Sequence, residues 1–253
     1  MEHQNKSSAL QLGLLVFGAL AVLTAVEFAL ALTINLWQFL VIIALIKAGL
    51  VLYYYMHISR LFEADMDTNH ESYAYKLSTN RMGLWLFLLS DLFIFGGLLL
   101  SRVNLLGLTR PDLDQVVGLT VTSILLISSF FANRAEVSME YGDRRQFIIS
   151  IAITISLGIL FLVGVLGVEW GLVPFGPGDN IHSAVFYVMT GFHAFHVFTG
   201  VIFLAIVLRN GMHGLYSTEK HWAVEASVVY WHFVDVVWFF FYPALYLIGT
   251  MAK

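Results

Sequence analysis

The amino-acid sequence predicts an all-α integral membrane protein with seven transmembrane helices. Of its 253 residues, 59% are hydrophobic and only 12% are charged, and the mean hydropathy is +0.80. This composition does not suit a surface in water, because soluble domains are usually about 25% charged. A bilayer-spanning helix needs about 20 apolar residues. The length therefore leaves room for seven spans and for no sizeable domain outside the membrane.

The apolar runs lie at residues 10–33, 36–58, 82–101, 116–133, 146–168, 183–208 and 226–249. Each is close to the length that spans a bilayer. The first run is too long for the hydrophobic part of a signal peptide, and no small-residue cleavage site follows it. Only Thr33 to Leu36 separates the first two runs, which predicts a tight helical hairpin.

The longest hydrophilic stretch of the chain, residues 59–81, gives the one predicted domain boundary. We therefore expect a 2 + 5 arrangement: a two-helix hairpin at 1–62, a polar cytoplasmic linker at 63–79 and a five-helix bundle at 80–253.

The distribution of Lys and Arg predicts the orientation, because short cytoplasmic loops carry an excess of these residues. Outside the apolar runs, nine lie on the side of the N-terminus and three on the opposite side. We therefore expect the N-terminus in the cytoplasm and the C-terminus outside. The nine are Lys6, Arg60, Lys76, Arg81, Arg134, Arg144, Arg145, Arg209 and Lys220, and the three are Arg102, Arg110 and Lys253.

The composition also excludes several kinds of site and partner. The chain has no cysteine, so it forms no disulfide, thiolate metal site or cysteine nucleophile. Its net charge of -4 gives no reason to expect a nucleic acid partner.

Ionisable side chains inside the predicted spans are the main candidate functional residues, because a charge at membrane depth is costly. At about 1.5 Å per residue, Asp91 and Asp235 lie roughly 15 Å from the cytoplasmic ends of their spans. His232 is about one turn shallower, and His193 and His196 lie roughly 18 to 24 Å deep. These five groups on three helices occupy neighbouring layers. We expect a midplane polar network.

Two interpretations of the histidines are open. His193 and His196 share a helix face, as do His232 and Asp235, and metal ligands from one helix would be spaced in this way. A dihaem membrane cytochrome, however, repeats paired axial histidines on two helices, and this sequence has no such repeat. The pattern favours structural or proton-linked hydrogen bonds over metal binding.

Asp91 also has two interpretations. It is a carboxyl in an otherwise apolar helix, where it either holds two helices together or exchanges protons.

Glu27 and Lys47 belong to the hairpin, and their depths differ by roughly 6 Å. Because Lys47 is too far from either helix end to reach the membrane surface, we expect an ion pair between them.

Several stretches resemble a known family. Residues 80–253 are similar to subunit III of the haem-copper terminal oxidases, which include cytochrome c oxidase. The matching segments are RMGLWLFLLSDLFIFGG at 81–97, FYVMTGFHAFHVFTG at 186–200 and YWHFVDVVWFFFYPALY at 230–246. Residues 11–62, which end in LIKAGLVLYYYMHISRLF, resemble the small bacterial subunit IV of the same enzymes. We interpret the hairpin as a fused subunit IV-like unit.

The resemblance implies an accessory subunit with no catalytic residue and no redox centre. It implies that haem and copper lie in partner subunits, that subunit I is the main contact and subunit II a further partner, and that structural phospholipids are bound. It also implies sustained proton uptake by the catalytic subunit, a bacterial cytoplasmic membrane and membership of a larger respiratory supercomplex.

The resemblance assigns roles to four residues. Asp91 matches a buried acid, usually a glutamate, that reacts with carbodiimide. Arg81 matches a cytoplasmic-side arginine, a suitable partner for a lipid headgroup phosphate. His221 and Glu225 match a His-x-x-x-Glu motif at the start of the last helix. The sequence departs from the family at Leu166, where a glutamine is common.

Other functions stay open. Within the oxidases, the chain is either a cytochrome c type subunit, a quinol oxidase subunit or a relative associated with nitric oxide reductase. Outside them, a stand-alone proton or ion carrier would also need acids at membrane depth, and a haem protein would need histidines.

Overall fold

The computed structural model describes residues 2–33, 37–58 and 73–251. Within these residues, seven helices are long and apolar enough to cross a membrane, which confirms the predicted fold class. The predicted turn at 34–36, most of the predicted linker, Arg60 and Lys253 lie outside the described residues.

The seven helices follow one another along the chain. They are α1 (Glu2–Thr33), α2 (Trp37–Leu50), α3 (Tyr73–Leu106), α4 (Gln115–Glu140), α5 (Arg144–Leu162), α6 (Ile181–Met212) and α7 (Trp222–Tyr242). Wider π-helical segments continue α2 (Val51–Tyr55), α5 (Val163–Glu169, followed by the turn Trp170–Leu172) and α7 (Pro243–Leu247). Two short strands, β1 (Thr109–Arg110) and β2 (Thr250–Met251), pair in parallel, with Thr109 opposite Thr250.

The helices extend beyond the apolar runs. Residues 73–79, predicted as part of the linker, form the first turns of α3, and α4 continues to Glu140. An apolar run measures only the hydrocarbon core of the bilayer, whereas helical hydrogen bonding continues through the polar headgroup layer. Side chains fix some of the starts: Asp114 caps α4, Asp143 caps α5, and Asn180 forms a capping box with Ser183 at α6.

The last helix lies at the centre of the bundle. In its most apolar stretch 94% of the residues are buried, compared with 17% to 44% in the other six described spans. α7 carries apolar and aromatic side chains on all of its faces, which is typical of a helix that has no lipid-facing surface. It packs against α2, α3, α4 and α6, while α1 packs on α4. The hairpin is therefore part of the bundle.

Close packing around α7 requires a glycine on a neighbouring helix. A Cβ atom at Gly158 of α5 would lie 2.5 Å from the ring of Trp231. Trp231 is fully buried, and its indole N–H donates to Ser128 Oγ at 3.1 Å. The indole of Trp231 thus occupies the space that a side chain at position 158 would need.

Arg102 lies just beyond the apolar run at 82–101, and the structure includes it in α3. It lies in the last turns of α3 and is 1% exposed. Its guanidinium donates four hydrogen bonds, to the carbonyl oxygens of Ala244, Gly107, Thr109 and Ile248, at 2.7, 2.7, 3.0 and 2.9 Å. Because these carbonyls satisfy its donors, the charge tolerates burial at a helix end.

Candidate functional site

A carboxyl and an imidazole meet between α3 and α6. Asp91 Oδ2 lies 3.6 Å from His196 Nε2, and the two side chains are 12% and 10% exposed. His196 Nδ1 is 2.9 Å from the carbonyl oxygen of Phe192. Since a carbonyl can only accept, Nδ1 carries a hydrogen, and Nε2 of a neutral ring is then an acceptor. The carboxyl and the imidazole therefore face each other at 3.6 Å, and Asp91 Oδ2 has no hydrogen-bond partner among the described residues.

A second cluster lies between α4 and α7. Ser129 Oγ is 2.8 Å from His232 Nδ1, and Asp235 Oδ2 is 3.6 Å from the same nitrogen. His232 and Asp235 are almost completely buried, at 0% and 1% exposure. The ring of Tyr55 packs on the imidazole, with ring centroids 4.9 Å apart. Ser129 thus binds the imidazole, whereas neither carboxylate oxygen of Asp235 has a hydrogen-bond partner among the described residues.

His193 joins neither cluster. Its ring lies among aromatic side chains, closest to Trp238 at 4.8 Å between centroids, and neither ring nitrogen has a hydrogen-bond partner among the described residues. The predicted single midplane network is therefore wrong, and the structure has two clusters instead. Phe95, whose ring contacts both His193 and His196, fills the space between them. Apolar rings replace the expected hydrogen bonds.

Metal binding would need several ligands that converge on one point. In the described residues, no group of three or more His, Asp or Glu side chains is arranged to hold a metal ion.

Arg81 and Glu225 form an ion pair that links α3 to the first turn of α7. Arg81 Nε and Nη2 donate to the two carboxylate oxygens at 2.9 and 3.1 Å. Such a paired geometry fixes the plane of the guanidinium. The Arg81 side chain is 23% exposed, and Nη1 remains directed away from this pair. His221 does not contact Glu225 through its ring, which lies 3.1 Å from the carbonyl oxygen of Ser217.

The hairpin ion pair is direct. Lys47 Nζ lies 2.5 Å from Glu27 Oε2, and both side chains are fully buried. The ammonium is also 5.0 Å from the centre of the Phe239 ring in α7. The pair therefore connects the two hairpin helices at the surface of the central helix.

Sequence analysis missed three polar contacts. Ser129 binds His232, Tyr246 donates to Glu169 between α7 and the end of α5, and Arg110 donates to the carbonyl oxygen of Tyr246 at 2.6 Å. A serine pair at 128–129 in an apolar helix is a usable signal for the first, because membrane helices hydrogen-bond through serine. No pattern in the sequence pairs Glu169 with Tyr246.

Comparison with known proteins identifies similar chains. The family model described as cytochrome c oxidase subunit III matches residues 5–250, which include the hairpin. A cytochrome c oxidase subunit 3 of Branchiostoma lanceolatum is 35% identical over 201 residues, which cover 74% of this chain and 76% of that protein. The protein of the same description from Salmo salar is 36% identical over 183 residues, covering 67% and 70% of the two chains. The likeness thus extends through all seven helices.

Proposed function

Because this chain belongs to the cytochrome c oxidase subunit III family, we propose how it serves its complex. It is an accessory membrane subunit of the terminal oxidase, the complex that reduces dioxygen. In this proposal the chain has no active site or redox centre. It supports assembly, binds phospholipid and sustains proton uptake by the catalytic subunit, while haem and copper stay in the partner subunits.

The Asp91–His196 pair is the observation that carries the proton-linked part of the proposal. The two groups lie 3.6 Å apart inside the membrane-spanning region, and Asp91 Oδ2 has no hydrogen-bond partner among the described residues. Ionisable groups at this depth are usually functional. Both side chains keep about a tenth of their surface exposed, so a partner subunit that packs on this face of the bundle can exchange a proton with them.

Arg81 supports the lipid-binding part. Glu225 fixes the guanidinium through Nε and Nη2, and the remaining N–H groups are free to meet a phosphate. A cation at headgroup level contributes on the order of 1 kcal/mol toward an anionic lipid. We expect Arg81→Ala to reduce the phospholipid that co-purifies, and unchanged lipid would contradict this assignment.

The wider setting of the chain follows from the same proposal. Subunit I is the main contact and subunit II a further partner, with a larger respiratory supercomplex around them. The resemblance of the hairpin to bacterial subunit IV supports a fused unit and a bacterial cytoplasmic membrane. The N-terminus then lies in the cytoplasm and the C-terminus outside.

The decisive experiment compares the native oxidase with a complex purified after deletion of this chain. We expect both complexes to contain haem and to reduce dioxygen. The complex without the chain should take up protons more slowly and lose activity after fewer turnovers, and adding the chain back should restore both. Equal proton uptake and equal lifetimes would refute the proposal.

A stand-alone proton carrier is the second candidate, because buried acids lie on α1, α3 and α7. It predicts proton transport by proteoliposomes that contain only this chain. We expect none.

A further inference from the structure

A polar pocket opens at the end of the bundle where α1 begins and α4 ends. It has a volume of about 200 Å³ and lies between α1, the end of the second span and the end of α4. Its polar lining comes from Tyr55, His57, Asn133, Glu140 and Tyr141. One water molecule needs roughly 10 to 15 Å³ of such volume and two to four polar partners. The pocket therefore has both the room and the partners for several water molecules.

Asn133 shows that this pocket is built for a polar occupant. The residue is only 5% exposed, and its amide lines the pocket. Buried amides are nearly always hydrogen-bonded, so an amide in this wall favours a polar occupant. Gly13 keeps the space open, because a Cβ atom there would lie 2.5 Å from Asn133 Oδ1.

Tyr55 forms the wall between this pocket and the buried cluster on α7. Its hydroxyl donates to the carbonyl oxygen of Gly13 at 2.8 Å, on the pocket side. Its ring packs on the imidazole of His232. In the described residues His232 Nε2 has no hydrogen-bond partner. One aromatic ring thus separates a polar pocket from a buried imidazole and carboxyl.

We propose that the pocket binds water and is the route by which the cluster of His232, Ser129 and Asp235 exchanges protons with the compartment at the N-terminal end of α1. Pocket water passes beside Tyr55 and gives one proton to the carboxyl of Asp235. The carboxyl proton leaves on the same water, so each exchange breaks one O–H bond on the water and one on the carboxyl, and forms one new O–H bond on each. The ligand class is water, and the residues that admit it are Gly13, Asn133 and Tyr55.

This inference deepens the proposed function, because it assigns a second proton-exchanging site in this chain, served from a different place than Asp91. The carboxyl of Asp91 faces α6, whereas Asp235 is reached from α1 and α4. The groups that face Asp235 with a titratable side chain are His232 on its own helix and Tyr55 on the second span.

The test measures proton exchange in the complete oxidase by infrared spectroscopy. Asp235→Asn identifies the carboxyl band of Asp235 by its loss, and the rate at which that band shifts in D₂O gives the exchange rate. We expect Asn133→Leu, which keeps the shape of the side chain but removes its polar group, to slow the shift at least tenfold. Ser123→Ala, on the same helix but outside the pocket, should leave the rate unchanged.

Equal rates in the native and Asn133→Leu enzymes would overturn the proposal, as would a native enzyme without an exchanging Asp235 band. If Asn133→Leu fails to assemble, Gly13→Ala narrows the same pocket and should slow the shift as well. The band reports proton exchange without turnover, whereas the deletion experiment reports turnover and lifetime. A negative result in the infrared experiment therefore does not refute the proposed function. A negative result in the deletion experiment likewise does not refute proton exchange at Asp235.

Discussion

The ammonium of Lys47 is held inside the bundle by one carboxylate and one aromatic ring. Both Lys47 and Glu27 are fully buried, so neither charge has water to stabilise it. Removal of one partner from such a pair leaves an uncompensated charge, whereas removal of both leaves an apolar contact. The ion pair thus fixes the face of the second span that packs against α1 and α7.

We predict that Lys47→Met lowers the free energy of unfolding by about 3 to 5 kcal/mol. The double variant Glu27→Leu with Lys47→Met should recover most of this loss, because no buried charge remains. Unfolding of the purified chain in detergent would measure both. Lys76→Met, at an exposed lysine of α3, is the control and should have little effect. A double variant as unstable as the single one would contradict the argument.

Asp91→Asn and Asp91→Leu separate a structural role from a proton-linked one. The amide of Asn can still donate to His196 Nε2 but cannot ionise, so we expect normal assembly and slower proton uptake by the complete oxidase. Leu offers no hydrogen bond, and it should cost about 1 to 3 kcal/mol of stability. Carbodiimide should label the native chain and not the Asn variant. Normal proton uptake in the Asn variant would leave only the structural role.

At the scale of residues, depth along a helix could be predicted and rotation about its axis could not. Glu27 and Lys47 lie on either side of the turn that the sequence predicts near residue 35, so counting residues from it places them at similar depths, and the structure joins them. Ser129 reaches His232 only because α4 turns one particular face toward α7. That face is chosen by side-chain packing over the whole helix, which a depth count does not contain.

Among the elements, the chain after α7 is held by arginines from α3 and β1. Its π-helical segment and the following residues present carbonyl oxygens, which Arg102 and Arg110 bind at Ala244, Tyr246, Ile248 and Gly249. Gly249 has a φ of 104°, a conformation that favours glycine, and a Cβ atom there would meet the backbone of Leu108 at 2.5 Å. The C-terminal segment is therefore fixed by side chains as well as by β1.

We predict that Arg102→Met releases this C-terminal segment. Methionine keeps the apolar stem but donates no hydrogen bonds, so the four carbonyls lose a charged partner. Hydrogen exchange of residues 243–251 should become at least tenfold faster, as expected for a loss of about 1.4 kcal/mol or more. Arg145→Met, at an exposed arginine, serves as the control. Unchanged protection in the Arg102 variant would show that Arg110 and strand pairing hold the segment without Arg102.

The attachment of α1 to the start of α5 should depend on pH. The side-chain hydrogen bond from Lys6, at 2.7 Å, and the backbone N–H of Gln146 hold the pKa of Asp143 below its usual value. A lowered pKa means that the contact stabilises the folded state above the ordinary pKa of about 3.9 and is lost as the pH falls through the folded value. We therefore expect α1 to detach from α5 at acid pH, below about pH 4.

Spin labels at Ser8 and Arg145 would measure this separation. Asp143→Asn should abolish its pH dependence, and Glu219→Gln, at an exposed acid elsewhere, should not. A separation that changes with pH equally in the native and Asp143→Asn chains would assign the effect to another group.

For the whole molecule, the excess of Lys and Arg on the side of the N-terminus predicts the orientation. We predict that reporter fusions at Met1 and Lys253 show opposite compartments, with the N-terminus in the cytoplasm. The same compartment for both termini would mean an even number of spans in the membrane.

The number and order of the helices could be predicted from the sequence, but the position of α7 at the centre could not. Apolar runs mark a membrane span whether it faces lipid or protein. One signal was present: the run at 226–249 contains a histidine, an aspartate and aromatic residues on every side, which lipid would not favour. Its ends were also misjudged, because capping and headgroup contacts extend helices beyond the apolar residues.

The central place of α7 has a consequence for biosynthesis. A ribosome makes α7 after the other six described helices, because chains are made from the N-terminus. Until residues 222–247 arrive, the inner faces of α2, α3, α4 and α6 have no common partner. A truncated chain therefore lacks the central helix of the bundle and not a peripheral one. We expect the incomplete subunit to need a membrane chaperone, or rapid completion of synthesis, to avoid misfolding.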